Sequence, residues 1–320
     1  MKIKFEAPEA SYPGSIVKVK IGALKDEGGT RRKTVVIGGE KSFPFFSSEE
    51  NKPVLALQVL DKPLNIPKQV LMEFKEIVNN PVEWAEACVK KFKAEVLAVK
   101  FISAHSSYGV KSKVEFKETL RKILNAVDVP LILCAPGSQE KDAEILEEAA
   151  EIAKGEKCIL ASATLTNNYK RIVDAALRNN HLVAAETDCD PALQKSLNER
   201  LLSEGLPINQ LVIDPTSAAL SLGIEYSISI IEQLKLNALK GDEALQAPIA
   251  CIRAAPYSLT AREAWVEDLK LGLTEVRGVL WEALTALSLI VSGANLVVMM
   301  NPKAFTQLKE FLNFGGLKIE

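Results

Sequence analysis

Continuous apolar runs alternate with stretches of helical period along most of the chain. PVLALQVL (53–60) has the length and composition of a strand buried on both faces and ends at Asp61. NPVEWAEACVKKF (80–92) then repeats its apolar positions at helical spacing, with Pro81 suited to a first turn. The same pairing recurs. EVLAVKFI (95–102) precedes a helical pattern over 112–127, VPLILCA (129–135) precedes EKDAEILEEAAEIAK, and KCILASA (157–163) precedes TNNYKRIVDAALRN. HLVAAET (181–187), INQLVIDP (208–215), APIACIRA (247–254) and NLVVMMN (295–301) each lead into a helical segment, the last starting at Pro302. Eight such units predict an α/β chain whose parallel strands close into a (β/α)8 TIM barrel, with a doubly wound open sheet as the alternative.

Ahead of the first unit, SIVKVKIGAL and RKTVVIGG alternate apolar and polar positions around KDEGGT, the pattern of an antiparallel hairpin. Its glycines and the basic Arg31, Arg32 and Lys33 raise the possibility of a phosphate loop. No helix follows Gly28 and Gly29 to receive an anion, and no Walker-type Lys-Ser/Thr pair is present, so the hairpin reading prevails. Residues 1–50 are therefore assigned to an N-terminal hairpin extension and 51–320 to the barrel. The hairpin is expected to cover the N-terminal end of the barrel or to meet another chain, with Phe43, Phe45 and Phe46 as plug or contact.

Composition narrows the function classes. Lys and Arg number 39 against 41 Asp and Glu, so no chain-wide basic surface draws nucleic acid or anionic lipid. The start MKIKFEAPEASYPG holds no apolar leader core and no apolar run approaches a spanning helix, which predicts a cytoplasmic protein without a membrane partner. Five scattered cysteines with no C-x-x-C pair read as buried thiols and not as a disulfide framework or an iron–sulfur ligand set.

In a closed barrel, ligands meet the C-terminal strand ends: here Asp61, Ser103, Pro136 with Gly137, Thr164, Glu186 with Thr187, Asp214 with Thr216 and Ser217, Arg253 and Asn301. Small hydroxyls, amides and glycine at these ends suit a binding face; without a histidine or a clustered ligand set among them, they suit catalysis and metal binding poorly. Each also has a plainer reading. Asp214 before Pro215 either faces a ligand or accepts N–H bonds within its own loop. Arg253 either meets a ligand or pairs with Glu186. Ser217 marks a tight helix entry, His105 sits in a solvated Ser/Gly loop, and His181 lies at the N-terminal, stability end of its strand. Trp265 and Trp281, at helical spacing to leucines, belong to core or interface.

The chain resembles the small subunit of the corrinoid iron–sulfur protein, the delta subunit of acetyl-CoA decarbonylase/synthase. The resemblance is carried by GALKDEGGTRRKTVVIGGEKSFPF, NKPVLALQVLD, NPVEWAEACVKKFKAE, the EKD after the third strand, NNYK after the fourth, VIDPTSAALSLGIEYSISIIEQLKLNALKGD, and REAW with RGVLWEALTA. It implies a barrel with no catalytic residues and no metal of its own. A large subunit would bring a [4Fe-4S] cluster and a corrinoid (cobalamin), with the corrinoid lying between that subunit and the barrel mouth. The heterodimer would carry a methyl group from a methyltetrahydropterin, through a methyltransferase, to acetyl-CoA synthase. Asp61, Ser103, Gly137, Thr164, Thr187, Asp214, Thr216 and Ser217 would then be the corrinoid-facing residues. The chain departs from the family pattern at the mouth: TSAALSLG replaces a glycine-rich turn, Ile102 stands at an Asp position, Ser162-Ala163 replaces Asn-Ala, and FSSEEN replaces Phe-Glu-Gly. Two rival readings stand beside it: an independent pterin-dependent methyltransferase or dihydropteroate-synthase-like enzyme, and a partner barrel without cofactor contact.

Overall fold

The computed structural model describes residues 11–44, 52–64, 66–105, 107, 111–215 and 223–313. Two short strands, β1 (Val19–Ile21) and β2 (Val35–Ile37), pair antiparallel with Val19 opposite Ile37. Eight parallel strands follow: β3 (Val54–Leu60), β4 (Val96–Lys100), β5 (Leu131–Cys134), β6 (Ile159–Ala163), β7 (Leu182–Glu186), β8 (Leu211–Asp214), β9 (Ala250–Cys251) and β10 (Leu296–Met299). Their order is β8-β7-β6-β5-β4-β3-β10-β9. A parallel bridge from Ile213 to Ile249 and the bond from Ile213 N–H to Pro248 O (2.9 Å) join the two ends. The expected (β/α)8 barrel is thus observed, and the open-sheet alternative is excluded.

The helices of the outer layer are α1 (Lys68–Phe74), α2 (Pro81–Lys90), α3 (Lys111–Ala126), α4 (Asp142–Ile152), α5 (Tyr169–Asn179) and α6 (Pro191–Ser203). After them come α7 (Ile224–Leu239), the short α8 (Ala254–Ser258) and α9 (Arg262–Trp265), then α10 (Thr274–Ser292) and α11 (Pro302–Asn313). Among the described residues no helix is long and apolar enough to cross a membrane.

Strand parity divides the apolar runs into two cores. Leu55, Leu57 and Val59 of β3, Leu97 and Val99 of β4 and Leu131 and Leu133 of β5 join the helices in one cluster. The alternate positions Ala56, Ala98, Ala161, Ala184 and Ala250, with Val96, Ile132, Ile159, Leu182 and Val298, form the second, inside the barrel. Val19, Ile21 and Ile37 belong to this inner cluster, so the hairpin plugs the N-terminal end. The plug is clamped from outside. Arg31 Nε lies 2.7 Å from Glu156 Oε2, its two terminal nitrogens donate to Val127 O and Leu124 O at 2.7 Å each, and Gly22 N–H donates to Lys157 O at 2.9 Å. The basic stretch therefore serves the fold through Arg31, as a hairpin and not as an anion loop.

Three departures from the sequence pattern have local causes. The hairpin strands span only three residues each, because Gly22 (φ +87°) and Gly38 (φ +79°) turn the chain; a Cβ on Gly38 would lie 2.2 Å from Val17 O. The seventh barrel strand shrinks to Ala250–Cys251, because Pro248 offers no N–H and the Ile252 N–H is taken by Asp214 at 3.2 Å. Helix α1, which the pattern does not announce, follows Pro67 and buries Gln69, Val70 and Phe74; two prolines within five residues disguised its start. Phe45, Phe46 and the FSSEEN segment lie outside the described residues.

Candidate functional site

The inward parity of each strand continues to its C-terminal end, where small apolar residues give way to polar ones. Gln58, Lys100, Glu186 and Asp214 all occupy inward positions beyond the alanine layer, and Arg253 follows β9. They frame two adjoining cavities. One, of about 300 Å³, is lined by Gly137, Ser162, Thr164, Asn167, Glu186, Thr187, Asp188 and Arg253 among others. The second, of about 270 Å³, is more apolar; its walls include Leu60, Leu64, Lys100, Ile102, Cys134, Tyr257 and Met300, and it shares Arg253 with the first.

The loops bordering the first cavity are locked by side chains at or just before the start of the helix that follows each. Asp142, in the first turn of α4, accepts the Gly137 and Ser138 N–H groups at 3.1 and 2.8 Å. Asn167 accepts the Thr164 N–H at 3.0 Å and donates to Ser162 O at 2.9 Å. Gly137 has φ +98°, with open space where a side chain would stand.

Arg253 Nη1 stands 3.2 Å from Glu186 Oε1 across the mouth. Burial works against the charge on Arg253, but Glu186, Tyr257 and Asp214 outweigh it and hold the guanidinium above its ordinary pKa. The expected ion pair thus exists, yet it uses only one carboxylate oxygen. Glu186 Oε2 and the nearby Ser162 Oγ are buried without a hydrogen-bond partner. At the other wall, Lys100 Nζ lies 3.4 Å from Tyr257 Oη and 5.1 Å from the centre of its ring. Burial pushes the Cys134 thiol up to about 12, so it stays protonated.

Gly137, Thr164 and Thr187, named from the sequence, line the first cavity. The Thr187 hydroxyl, however, donates to Gln194 Oε1 at 2.6 Å. Asp214 lies fully buried beneath the mouth, where its carboxylate accepts the Ile252 N–H. Asp61 and Ser103 line neither cavity: Asp61 accepts the Ser103 N–H at 2.9 Å and the Ser103 hydroxyl as well, tying the end of β3 to the loop after β4. Burial raises the Asp61 pKa to about 6 against the pull of those bonds. Thr216, Ser217 and the rest of TSAALSLG lie outside the described residues. Two other departures from the family pattern, Ile102 and Ser162, line the second and first cavity respectively.

Lys100, Gln58 and Asn167 were not singled out as site residues, although counting Val96, Ala98, Lys100 along β4 puts the lysine on the inner face. Tyr257 sits in α8 and had no such signal. Among the described residues no group of three or more His, Cys, Asp or Glu side chains is arranged to hold a metal ion. Neither cavity has a histidine in its wall. What the mouth presents is a ring of charged, amide and hydroxyl side chains over an apolar floor.

A family model described as CO dehydrogenase/acetyl-CoA synthase delta subunit matches residues 18–309. The acetyl-CoA decarbonylase/synthase complex subunit delta of Archaeoglobus fulgidus is 39% identical over 100% of this chain and 72% of its own length. That of Methanocaldococcus jannaschii is 39% identical over 97% of this chain and 76% of its own. Among solved structures, dihydropteroate synthase from Thermus thermophilus aligns with a TM-score of 0.53 at 18% identity, over 83% of this chain and 94% of that one. The enzyme from Xanthomonas albilineans gives 0.57 at 14% identity, over 83% and 95%. At such identities the likeness to these synthases shows the barrel fold alone.

Proposed function

The chain belongs to the family of CO dehydrogenase/acetyl-CoA synthase delta subunits, and from that premise we propose that it is the non-catalytic barrel of a heterodimeric corrinoid iron–sulfur methyl carrier. In this reading it is a subunit of the acetyl-CoA decarbonylase/synthase complex. Its mouth covers a corrinoid held by a large subunit, which also carries the [4Fe-4S] cluster, while methyl groups pass between a methyltetrahydropterin and acetyl-CoA synthase.

The observation that carries the reading is the pair of orphaned buried oxygens, Glu186 Oε2 and Ser162 Oγ, on the wall of the first cavity. A buried polar atom left without a partner costs about 1–3 kcal/mol, a cost removed when a ligand supplies the missing bonds. The amide side chains around a corrin are such donors, so the residues present fit the group. When bound, a corrinoid supplies the cobalt centre that accepts and yields a methyl group.

This chain's residues bind, orient and shield. Arg253 holds Glu186 by one oxygen and leaves the other without a partner, and Asn167 fixes the loop that brings Ser162 and Thr164 to the cavity wall. Leu60, Ile252 and Met300 form an apolar floor that excludes water, with Lys100 over Tyr257 closing the far side.

Co-expression with the large subunit, followed by purification and an absorbance spectrum, tests the proposal. A heterodimer with cobalt-corrinoid bands is expected, and Glu186→Ala combined with Ser162→Ala should lower corrinoid retention while the heterodimer persists. A chain that stays alone and turns over a methylpterin would overturn it in favour of an independent methyltransferase or synthase-like enzyme.

A further inference from the structure

Helix α10 lies in the outer layer of the barrel, where helices ordinarily turn a charged face to water. Between residues 278 and 292 its only charged side chain is Glu282, and that one is fully buried, accepting the Met300 and Asn301 N–H groups at 2.6 and 2.8 Å. The outer face instead shows Val276, Leu280, Leu284 and Val291, between 43% and 58% exposed. Spacings of four, four and seven residues place them on one stripe. The hydroxyls of Thr285, Ser288 and Ser292 add little outward polarity, because each donates to a carbonyl one turn back, Trp281 O, Leu284 O and Ser288 O, at 2.7–2.9 Å.

The stripe is not isolated. Leu273, 68% exposed, precedes α10 and shares a groove of about 240 Å³ with Met72 of α1. Helix α1 starts directly after Pro67, which with Leu64 lines the second mouth cavity. Because α10 follows β9 and precedes β10 in a parallel barrel, it starts at the mouth end and runs down the wall. Exposed apolar side chains therefore recur from the mouth, through Met72 of α1 and Leu273, to the stripe on α10, with the Lys68–Glu267 ion pair and Glu275 bordering the groove between them.

We propose that these side chains mark the docking surface for the companion chain that covers the mouth, which lays an uncharged, apolar helical face along α10. The inference rests on the reading of the mouth given above and adds where the companion is held. Continuity with the mouth favours that chain over a second copy of this one. The area agrees. Half-exposed side chains of this size each present on the order of 50 Å² of apolar surface, and the six named here with Trp265 and Leu271 reach about 400 Å². Since roughly 60% of an interface is apolar, the footprint approaches the ~800 Å² per partner of a standard-size protein complex.

The test is binding of the large subunit to the full chain carrying Leu280→Glu with Leu284→Glu, against the parent. Both positions are exposed, so the circular-dichroism melt is expected to match the parent, and binding is expected to weaken by about 100-fold or more. Should the pair unfold the chain, Leu284→Ser alone is measured in its place, with a loss of at least about tenfold expected. Unchanged affinity in a folded variant overturns this inference while leaving the mouth reading intact. So does a variant that loses only self-association, measured by light scattering, because the occupant is then a second copy. A parent chain that binds no large subunit overturns both.

Discussion

Replacing Arg31 with alanine removes one residue of the hairpin and, with it, the clamp on the barrel floor. Its side chain is 1% exposed and that of its partner Glu156 8%, so the pair is screened from water on all sides. The guanidinium makes three bonds at 2.7 Å, one to the carboxylate and one each to Val127 O and Leu124 O. After the change, Glu156 keeps only the Thr30 N–H and hydroxyl, at 3.1 and 2.7 Å. A buried carboxylate stripped of its counter-charge costs about 3–5 kcal/mol. The Thr30 donors soften that loss and the two abandoned carbonyls add to it, so about 4 kcal/mol is expected, or a fall in Tm on the order of 10 °C. Urea unfolding at pH 7 measures it, alongside Glu156→Ala and the double variant. Because each single change strands the other partner, the double variant should be destabilised by less than the sum of the two. An Arg31→Ala cost under about 1 kcal/mol, or strict additivity, would refute the clamp.

Two buried groups should pull stability in opposite directions with pH. Asp61 has a folded value of about 6 against an ordinary 3.8, so the folded chain binds more protons in that window and stability falls as pH rises through it, by about 3 kcal/mol. His181 is lowered by burial to about 4 from 6.5, so the unfolded chain binds more and stability rises over that range by a similar amount. Asp61→Asn should therefore expose the His181 slope: unfolding free energies from urea titrations at pH 4.5 and 6.5 should diverge by about 2 kcal/mol more than in the parent, and equal divergence would count against it. Glu282→Gln sets an amide donor against the Met300 or Asn301 N–H and should cost about 1–3 kcal/mol in the same assay. Burial raises the thiols of Cys88, Cys134 and Cys158, the latter two to about 12, so iodoacetamide should label the half-exposed Cys189 well before these three in the native chain. Rapid native labelling of Cys134 would show a mouth more open than described.

Much of the architecture was legible because the signals are local. A continuous apolar run such as VLALQVL needs two buried faces, and a run followed by a helical repeat needs a crossover, whatever lies elsewhere in the chain. His181 was placed at the stability end by position alone. It lies fully buried there, with Nδ1 accepting the Cys158 N–H at 3.1 Å and Nε2 beside Ala150 O at 2.9 Å, which assigns the neutral form protonated on Nε2. The Arg253–Glu186 pair was one of the two readings the sequence offered for Arg253, since Glu186 ends β7 and Arg253 follows β9 in a barrel that brings the strand ends together. The site itself was half legible. Gly137, Thr164 and Thr187 reached the cavity wall, whereas Lys100 and Tyr257, which meet across it, are 157 positions apart and share no pattern.

The eightfold alternation of strand and helix, the hairpin and the polar character of the strand ends follow from the sequence, since each depends on spacing between near neighbours. That the hairpin plugs the barrel, which polar atoms are spent inside the protein and which stay unpaired was decided only in three dimensions. Asp61 meets Ser103 across 42 positions and Arg31 meets Glu156 across 125, while Glu186 and Ser162 each keep an oxygen unbonded. The physical reason is that a hydrogen bond is set by a distance of about 3 Å, and such distances between remote residues exist only once the barrel has closed.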